Sequence, residues 1–204
     1  PPVIARGRPS HVSASTRRVC LLRGAVSGAR LAALFLNPSL RTRMSVEAAC
    51  GALGIQPMIS QPGTQSWGWE LRRGVPMDGA EAEHVVDAVR VLAGYADVLA
   101  VRAFATMDPV MDRADPVLAA FMAESSVPVV NLESARFHPM QGLADAATLV
   151  SRLEQPKGKK LVLTWAPHPK PLPTAVANQV LATSHLLGMD VTVACPEGWD
   201  LDPE

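Results

Sequence analysis

Between residues 30 and 154, short apolar runs alternate with longer stretches whose apolar residues recur at helical spacing. That alternation restricts the fold more than any other feature of the chain. Runs at 31–36, 55–60, 97–101 and 127–131 have the length and make-up of buried strands, and the first ends at Asn37-Pro38. The segment 42–53 places Met44, Ala48, Cys50 and Leu53 on a helical repeat closed by Gly54. The segment 80–95 sets Val85, Val89 and Leu92 on one face, and 139–154 does the same with Leu143, Ala147, Val150 and Leu153. A shorter helix is expected at 115–125, and Gln61-Pro62-Gly63 marks a turn. Strands this apolar must be covered on both faces. The expected fold class is therefore α/β, a parallel sheet flanked by helices.

The polar stretch Gln155-Pro156-Lys157-Gly158-Lys159-Lys160 reads as a hinge, which puts a domain boundary between 155 and 156. Beyond it come a strand at 161–165, a Pro-rich loop, a helix at 174–187 and a strand at 190–194. This is the first β-α-β unit of a second, Rossmann-like domain, incomplete over 156–204. One such unit leaves strand edges unpaired, so more chain is expected after Glu204. Residues 1–27 stay unassigned. Arg6, Arg8, Arg17, Arg18, Arg23, Arg30, Arg41 and Arg43 all precede the first acidic residue, Glu47. An acid-free, Arg- and Ser-rich start can be an organellar transit peptide. Pro1-Pro2 makes a poor amphipathic helix, however, and a truncated or ill-defined N-terminus is the expectation.

Composition excludes some partners. The formal net charge is zero, which gives no global reason to expect nucleic acid or an anionic membrane surface. Arg or Asp interrupts every apolar run before it reaches membrane-spanning length. Cys20, Cys50 and Cys195 form no CxxC pair and are too few for a disulfide framework. They read as reduced thiols, which places the protein in the cytoplasm.

Three segments offer chemistry. Asn37-Pro38-Ser39-Leu40-Arg41-Thr42-Arg43 joins the first strand to the first helix. Free backbone N–H groups there, with the Ser39 and Thr42 hydroxyls and the Arg41 guanidinium, make a phosphate cradle. The plainer alternative is that Ser39 caps the helix while the arginines are solvated. Val101-Arg102-Ala103-Phe104 brings a charge out at the end of the third strand, where a surface arginine is the ordinary reading. His138-Pro139-Met140-Gln141 opens a helix after the fourth strand, where His138 can be a simple cap. Each alternative holds for its segment alone. All three segments lie at carboxyl ends of strands, where open α/β sheets bind ligands, and together they can grip a small phosphorylated molecule and polarise a carbonyl beside it.

Phe35-Leu36-Asn37-Pro38-Ser39-Leu40-Arg41-Thr42-Arg43 resembles the Ser-x-Arg-Thr signature of the aspartate and ornithine carbamoyltransferases. The Arg102 and His138 segments are similar to that family's second and third carbamoyl-phosphate motifs, in the same order, and the likeness runs from about Gly28 to the C-terminus. The resemblance implies that Ser39, Leu40, Arg41 and Thr42 hold the phosphate of carbamoyl phosphate. Trp67 would close over the site from a neighbouring subunit of a homotrimer. Arg102, His138, Pro139, Met140 and Gln141 would surround the carbamoyl group, with Arg102, His138 and Gln141 catalytic. No metal or organic cofactor is implied, and a Cys50 nucleophile is not expected because that residue lies mid-helix on an apolar face.

Thr164-Trp165-Ala166-Pro167-His168-Pro169-Lys170-Pro171-Leu172-Pro173 stands where ornithine enzymes carry an Asp/Asn-rich stretch. It is similar to the branch acting on N-acetylornithine or N-succinylornithine in arginine biosynthesis, as are Trp67, Gly74, Met77-Asp78-Gly79 and Glu133. Glu133 and His168 match positions that contact the acylornithine. Two details lean towards the succinyl substrate. Glu133 lies five positions before His138, and Ala82 stands where acetyl-type members have Glu and succinyl-type members have Pro. Removing a carboxylate removes its repulsion of a succinyl carboxylate. The family's later His-Cys-Leu-Pro motif is absent, which leaves the acceptor site partial and the activity of this chain open. Two alternatives stand beside this reading: an enzyme for plain ornithine, and a non-catalytic remnant that binds phosphate compounds.

Overall fold

The computed structural model describes residues 23–202. A four-stranded sheet of β1 (Arg30–Phe35), β2 (Gln56–Ser60), β5 (Val98–Arg102) and β6 (Val129–Glu133) runs in the order β2-β1-β5-β6, every pairing parallel. Helix α1 (Leu40–Leu53) links β1 to β2, and α2 (Val85–Tyr95) leads into β5. Helices α3 (Pro109–Ala114) and α4 (Pro116–Glu124) link β5 to β6, and α5 (Pro139–Leu153) follows. The chain leaves β1 for β2 on one side and returns to β5 on the other. The β1/β5 crevice is therefore the switch point of the sheet, the place where such folds bind ligands.

Both faces of the central strands β1 and β5 are covered, as apolar strands require, while Gln56, Pro57 and Met58 of edge strand β2 stay exposed. On one face Leu34, Leu99 and Val101 pack with Val85 and Val89 of α2 and Phe121 of α4. On the other, Ala33, Phe35, Ala100 and Leu132 pack with Val46 of α1. Helix α1 ends as Gly54 predicts, with φ 74 at that residue. Two expected elements shift and a third element is new. The helix expected from residue 80 starts at Val85, where the His84 side chain accepts from the Val86 N–H. The fourth sheet strand begins at Val129 and runs on to Glu133, not 127–131. Helix α3 was not expected at all; Asp108 caps it by accepting from the Val110 and Met111 N–H groups, with Pro109 at its start.

Residues 61–84 form a strap held by β3 (Trp69–Glu70) and β4 (Glu83–His84), which pair in parallel. Trp69 packs near Phe121 with ring centroids 6.3 Å apart, and Glu124 of α4 pairs with both Arg73 and Arg90. Within the strap Arg72 grips Glu70 through two nitrogens, at 3.0 and 2.7 Å. That hydrogen-bonded guanidinium holds the Glu70 carboxyl down at about 2 against an ordinary 4.5. A depressed carboxylate stabilises above its unfolded value and loses that contribution as pH falls towards the folded one. Arg72→Ala should return the Glu70 titration towards 4.5, followed through its carboxyl carbon by NMR. An unmoved titration would show the pair to be incidental.

Glu154 ends α5 at φ 56, and β7 (Lys160–Thr164) and β8 (Asp190–Ala194) then form a separate two-stranded parallel sheet. Helix α6 (Ala175–Leu186) joins them and packs on α5. No helix among the described residues is long and apolar enough to cross a membrane.

Candidate active site

Three strand ends converge at the switch point. After β1 the chain turns at Asn37-Pro38, and Ser39 caps α1 by accepting from the Thr42 N–H at 3.3 Å. After β5, the Phe104 N–H donates to Asn37 Oδ1 at 2.7 Å, which locks the two loops together. Arg102 donates through Nη1 to the Asn37 and Pro38 carbonyls at 3.5 and 3.3 Å. The guanidinium thus lies against the segment that starts α1, and its Cζ stands 4.1 Å from the centre of the Phe104 ring.

The β5–β6 register shifts at Val101/Arg102, so Val101 pairs with Asn131 but Arg102 pairs with Glu133. That irregularity sets the two charges side by side. Arg102 and Glu133 are each 7% exposed, and Nη2 meets Oε2 at 2.8 Å. Burial pushes the Arg102 guanidinium down from its ordinary value, while the facing carboxylate pulls it back up. Arg102 Nε is buried with no hydrogen-bond partner. A buried donor left open on a strand end is an invitation to an acceptor oxygen.

His138 caps α5. Its Nδ1 accepts from the Gln141 N–H at 3.4 Å, which leaves the proton on Nε2, 3.6 Å from the same Glu133 oxygen. One carboxylate therefore holds the guanidinium at 2.8 Å and stands beside the imidazole at 3.6 Å. Gln141 turns its amide along the helix to Asp145 at 2.8 Å. Arg41 is exposed, beside the Ser39 cap. Leu40 and Met140 are also exposed, and Pro139 is half-buried at the start of α5.

Trp67 and Ala82 lie apart from this cluster, on the strap. Trp67 is 61% exposed and donates its indole N–H to Glu83 at 2.8 Å; Ala82 is exposed next to Glu83. His168 lies elsewhere again, with Nδ1 2.8 Å from the Lys170 carbonyl oxygen. It lines a groove of about 670 Å³ with Trp165, Pro171, Val176 and Trp199. Cys50 is buried, and that burial raises its thiol and keeps it inert.

Three contributors escaped the sequence reading: Asn37 as the loop lock, Glu83 as the Trp67 acceptor, and Glu133 as the Arg102 counter-ion. Each joins residues far apart in sequence, so local pattern carries no signal of the pairing. In the folded chain an arginine and a glutamate that each end an apolar strand need one another, since a buried charge is retained only when paired.

The family described as "Aspartate/ornithine carbamoyltransferase, carbamoyl-P binding domain" matches residues 11–151. An N-acetylornithine carbamoyltransferase from Xanthomonas campestris pv. campestris is 45% identical over 84% of this chain and 51% of its own length. An N-succinylornithine carbamoyltransferase from Bacteroides thetaiotaomicron is 38% identical over 84% of this chain and 54% of its own. Among solved structures, a glutamate-to-alanine variant of N-acetyl-L-ornithine transcarbamylase, complexed with carbamyl phosphate and N-succinyl-L-norvaline, superposes with a TM-score of 0.82. It is 40% identical, with 94% of this chain and 61% of that one covered. The chain spans about half the length of the curated relatives it matches. Motifs, sheet topology and sequence likeness agree: the chain belongs to the aspartate/ornithine carbamoyltransferase family, of which it carries the carbamoyl-phosphate-binding domain.

Proposed function

We propose that this chain takes part in carbamoyl transfer from carbamoyl phosphate to the δ-amine of an N2-acylornithine. The observation that carries the reading is the buried Arg102, with its open Nε, set against the loop that starts α1. In this reading the phosphate rests on Ser39, the Leu40 N–H, Arg41 and Thr42 at the helix N-terminus. The carbamoyl oxygen points to Arg102 and to the His138 Nε2–H, with Gln141 and the 139–140 backbone around the carbamoyl nitrogen.

The neutral δ-amine attacks the carbonyl carbon and the C–O bond to phosphate breaks. A ureido group forms, and the proton lost by the amine leaves with inorganic phosphate. Charge on the carbonyl oxygen grows during attack, and a guanidinium already aligned by Glu133 needs no reorganisation to meet it. The amine must be deprotonated to react, so the rate rises with pH until it is neutral.

Residues 28–155 form the carbamoyl-phosphate domain in this reading, and 156–204 begin the acylornithine domain, where His168 contributes with Glu133. Among acyl groups we favour succinyl over acetyl. Ala82 offers no carboxylate to repel a second one, and a related acetyl enzyme carrying an alanine in place of a glutamate was solved with a succinyl ligand. The exposed Trp67 is suited to reaching a neighbouring site in a homotrimer.

Calorimetric titration with carbamoyl phosphate tests the reading. Arg41→Ala should weaken binding roughly ten- to hundred-fold, the worth of about 1.5–3 kcal/mol for a hydrogen bond to a charged group. Because Arg41 is exposed, its removal should leave the unfolding midpoint unchanged. Binding unaffected by the substitution would remove the cradle from the proposal. Comparison of succinyl-, acetyl- and unmodified ornithine as acceptors would then decide the branch.

A further inference from the structure

The loops that end β1 and β5 hold each other in both directions. From β5, Arg102 reaches across with Nη1 donating to the Asn37 and Pro38 carbonyls at 3.5 and 3.3 Å. From β1, the Asn37 side chain reaches back, and its Oδ1 accepts from the Phe104 N–H at 2.7 Å. The Leu36 N–H donates to the Arg102 carbonyl at 2.9 Å, so the two strands stay paired up to the point where the clasp begins. Asn37 and Phe104 stand 67 positions apart in sequence, and both are half-buried.

What each loop carries gives the clasp a consequence for the ligand. Ser39 opens the phosphate cradle two residues after Asn37, accepting from the Thr42 N–H at 3.3 Å. The link between them is stiff, because Pro38 has a fixed φ and steers the residue before it away from helical backbone. A shift at Asn37 is therefore passed on to Ser39 and the start of α1. On the other loop, the Phe104 ring lies 4.1 Å from Arg102 Cζ. The amide that Asn37 holds thus belongs to the residue that backs the guanidinium.

We infer that Asn37 is a positioning residue for carbamoyl transfer: its amide oxygen fixes the spacing between the helix start that takes the phosphate and the guanidinium that takes the carbamoyl oxygen. This deepens the function proposed above and rests on it. In this role Asn37 touches neither end of the ligand. Its effect falls on ligands that must reach both groups at once. Inorganic phosphate needs the cradle alone, whereas carbamoyl phosphate spans the cradle and Arg102.

Calorimetric titration with carbamoyl phosphate and with inorganic phosphate, at an alkaline pH where both are dianions, gives the ratio of the two affinities. Asn37→Ala should lower that ratio roughly tenfold, the weight of one lost hydrogen bond at a half-buried amide, with phosphate affinity close to the parent's. A general loss of stability would instead weaken both ligands and leave the ratio. Asn37→Asp keeps an acceptor oxygen in place; its charge should weaken both anions while the ratio stays parent-like. The Phe104 amide, followed by NMR, should exchange faster with solvent in Asn37→Ala and at the parent rate in Asn37→Asp. Where the alanine variant does not fold, Asn37→Ser supplies the same readouts, since its hydroxyl is too short to meet the Phe104 N–H. A parent-like ratio in a folded alanine or serine variant would overturn the inference, as would an unmoved Phe104 amide or a ratio lost in Asn37→Asp. A parent chain that binds carbamoyl phosphate no more tightly than phosphate would count against the proposed function itself, and this inference would fall with it.

Discussion

Arg102→Met should lower stability by about 3–5 kcal/mol, because it strands a buried carboxylate without its counter-charge. Glu133 is 7% exposed and meets Arg102 at 2.8 Å, so water cannot replace the guanidinium without opening the end of β6. The Asn37 and Pro38 carbonyls lose a donor at the same time. Urea unfolding should show the midpoint falling with little change in slope. The double variant Arg102→Met/Glu133→Gln should recover most of the loss, since an apolar and a neutral partner no longer bury an unpaired charge. It should not recover carbamoyl phosphate binding. That split separates what the pair does for the fold from what Arg102 does for the ligand. Stability of the single variant equal to the parent would mean that the pair is solvated.

Gly142→Val should cost about 3 kcal/mol through overpacking between α5 and α6. Gly142 is buried, and a Cβ there would sit 2.5 Å from Gln179 Nε2 and 2.6 Å from both Gln179 Cγ and Thr183 Oγ1. Removing a helical glycine normally gains about 1 kcal/mol. Here the clash wins. Gln179 can swing its amide aside, but Thr183 is short and buried, and the two are joined by a 3.2 Å hydrogen bond. Adding Gln179→Ala and Thr183→Ala should restore much of the midpoint. Failure to restore it would place the strain within α5 itself. The contact also ties the first fold unit to the second, just beyond His138 and Gln141, so the variant should weaken carbamoyl phosphate binding too.

The two parts of the chain differ in how openly their packing is written. The two central strands of the four-stranded sheet, β1 and β5, are buried on both faces, and apolar runs of their length admit few other placements. By contrast Val162 and Val193 of β7 and β8 remain exposed, and the fit of that unit depends on α6 lying against α5. Gly142 shows no sign of this in sequence, because it lies inside a helical repeat that reads equally well with alanine.

The catalytic candidates show the same division. Ser39 at a strand–helix junction, Arg102 at a strand end and His138 before Pro139 were legible, since local rules of capping and strand polarity act over a few residues. Glu133 was legible as a site residue but not as the partner of Arg102. That pairing joins groups distant in sequence, with 31 positions between Arg102 and Glu133. Sequence alone determined the parallel α/β sheet and the segments at the carboxyl ends of its strands; the strand order that puts the switch point between β1 and β5 came from the fold. Tertiary structure decided which charge meets which, because a one-residue register shift between β5 and β6 turns Arg102 towards Glu133, and periodicity within either strand carries no record of its neighbour's register.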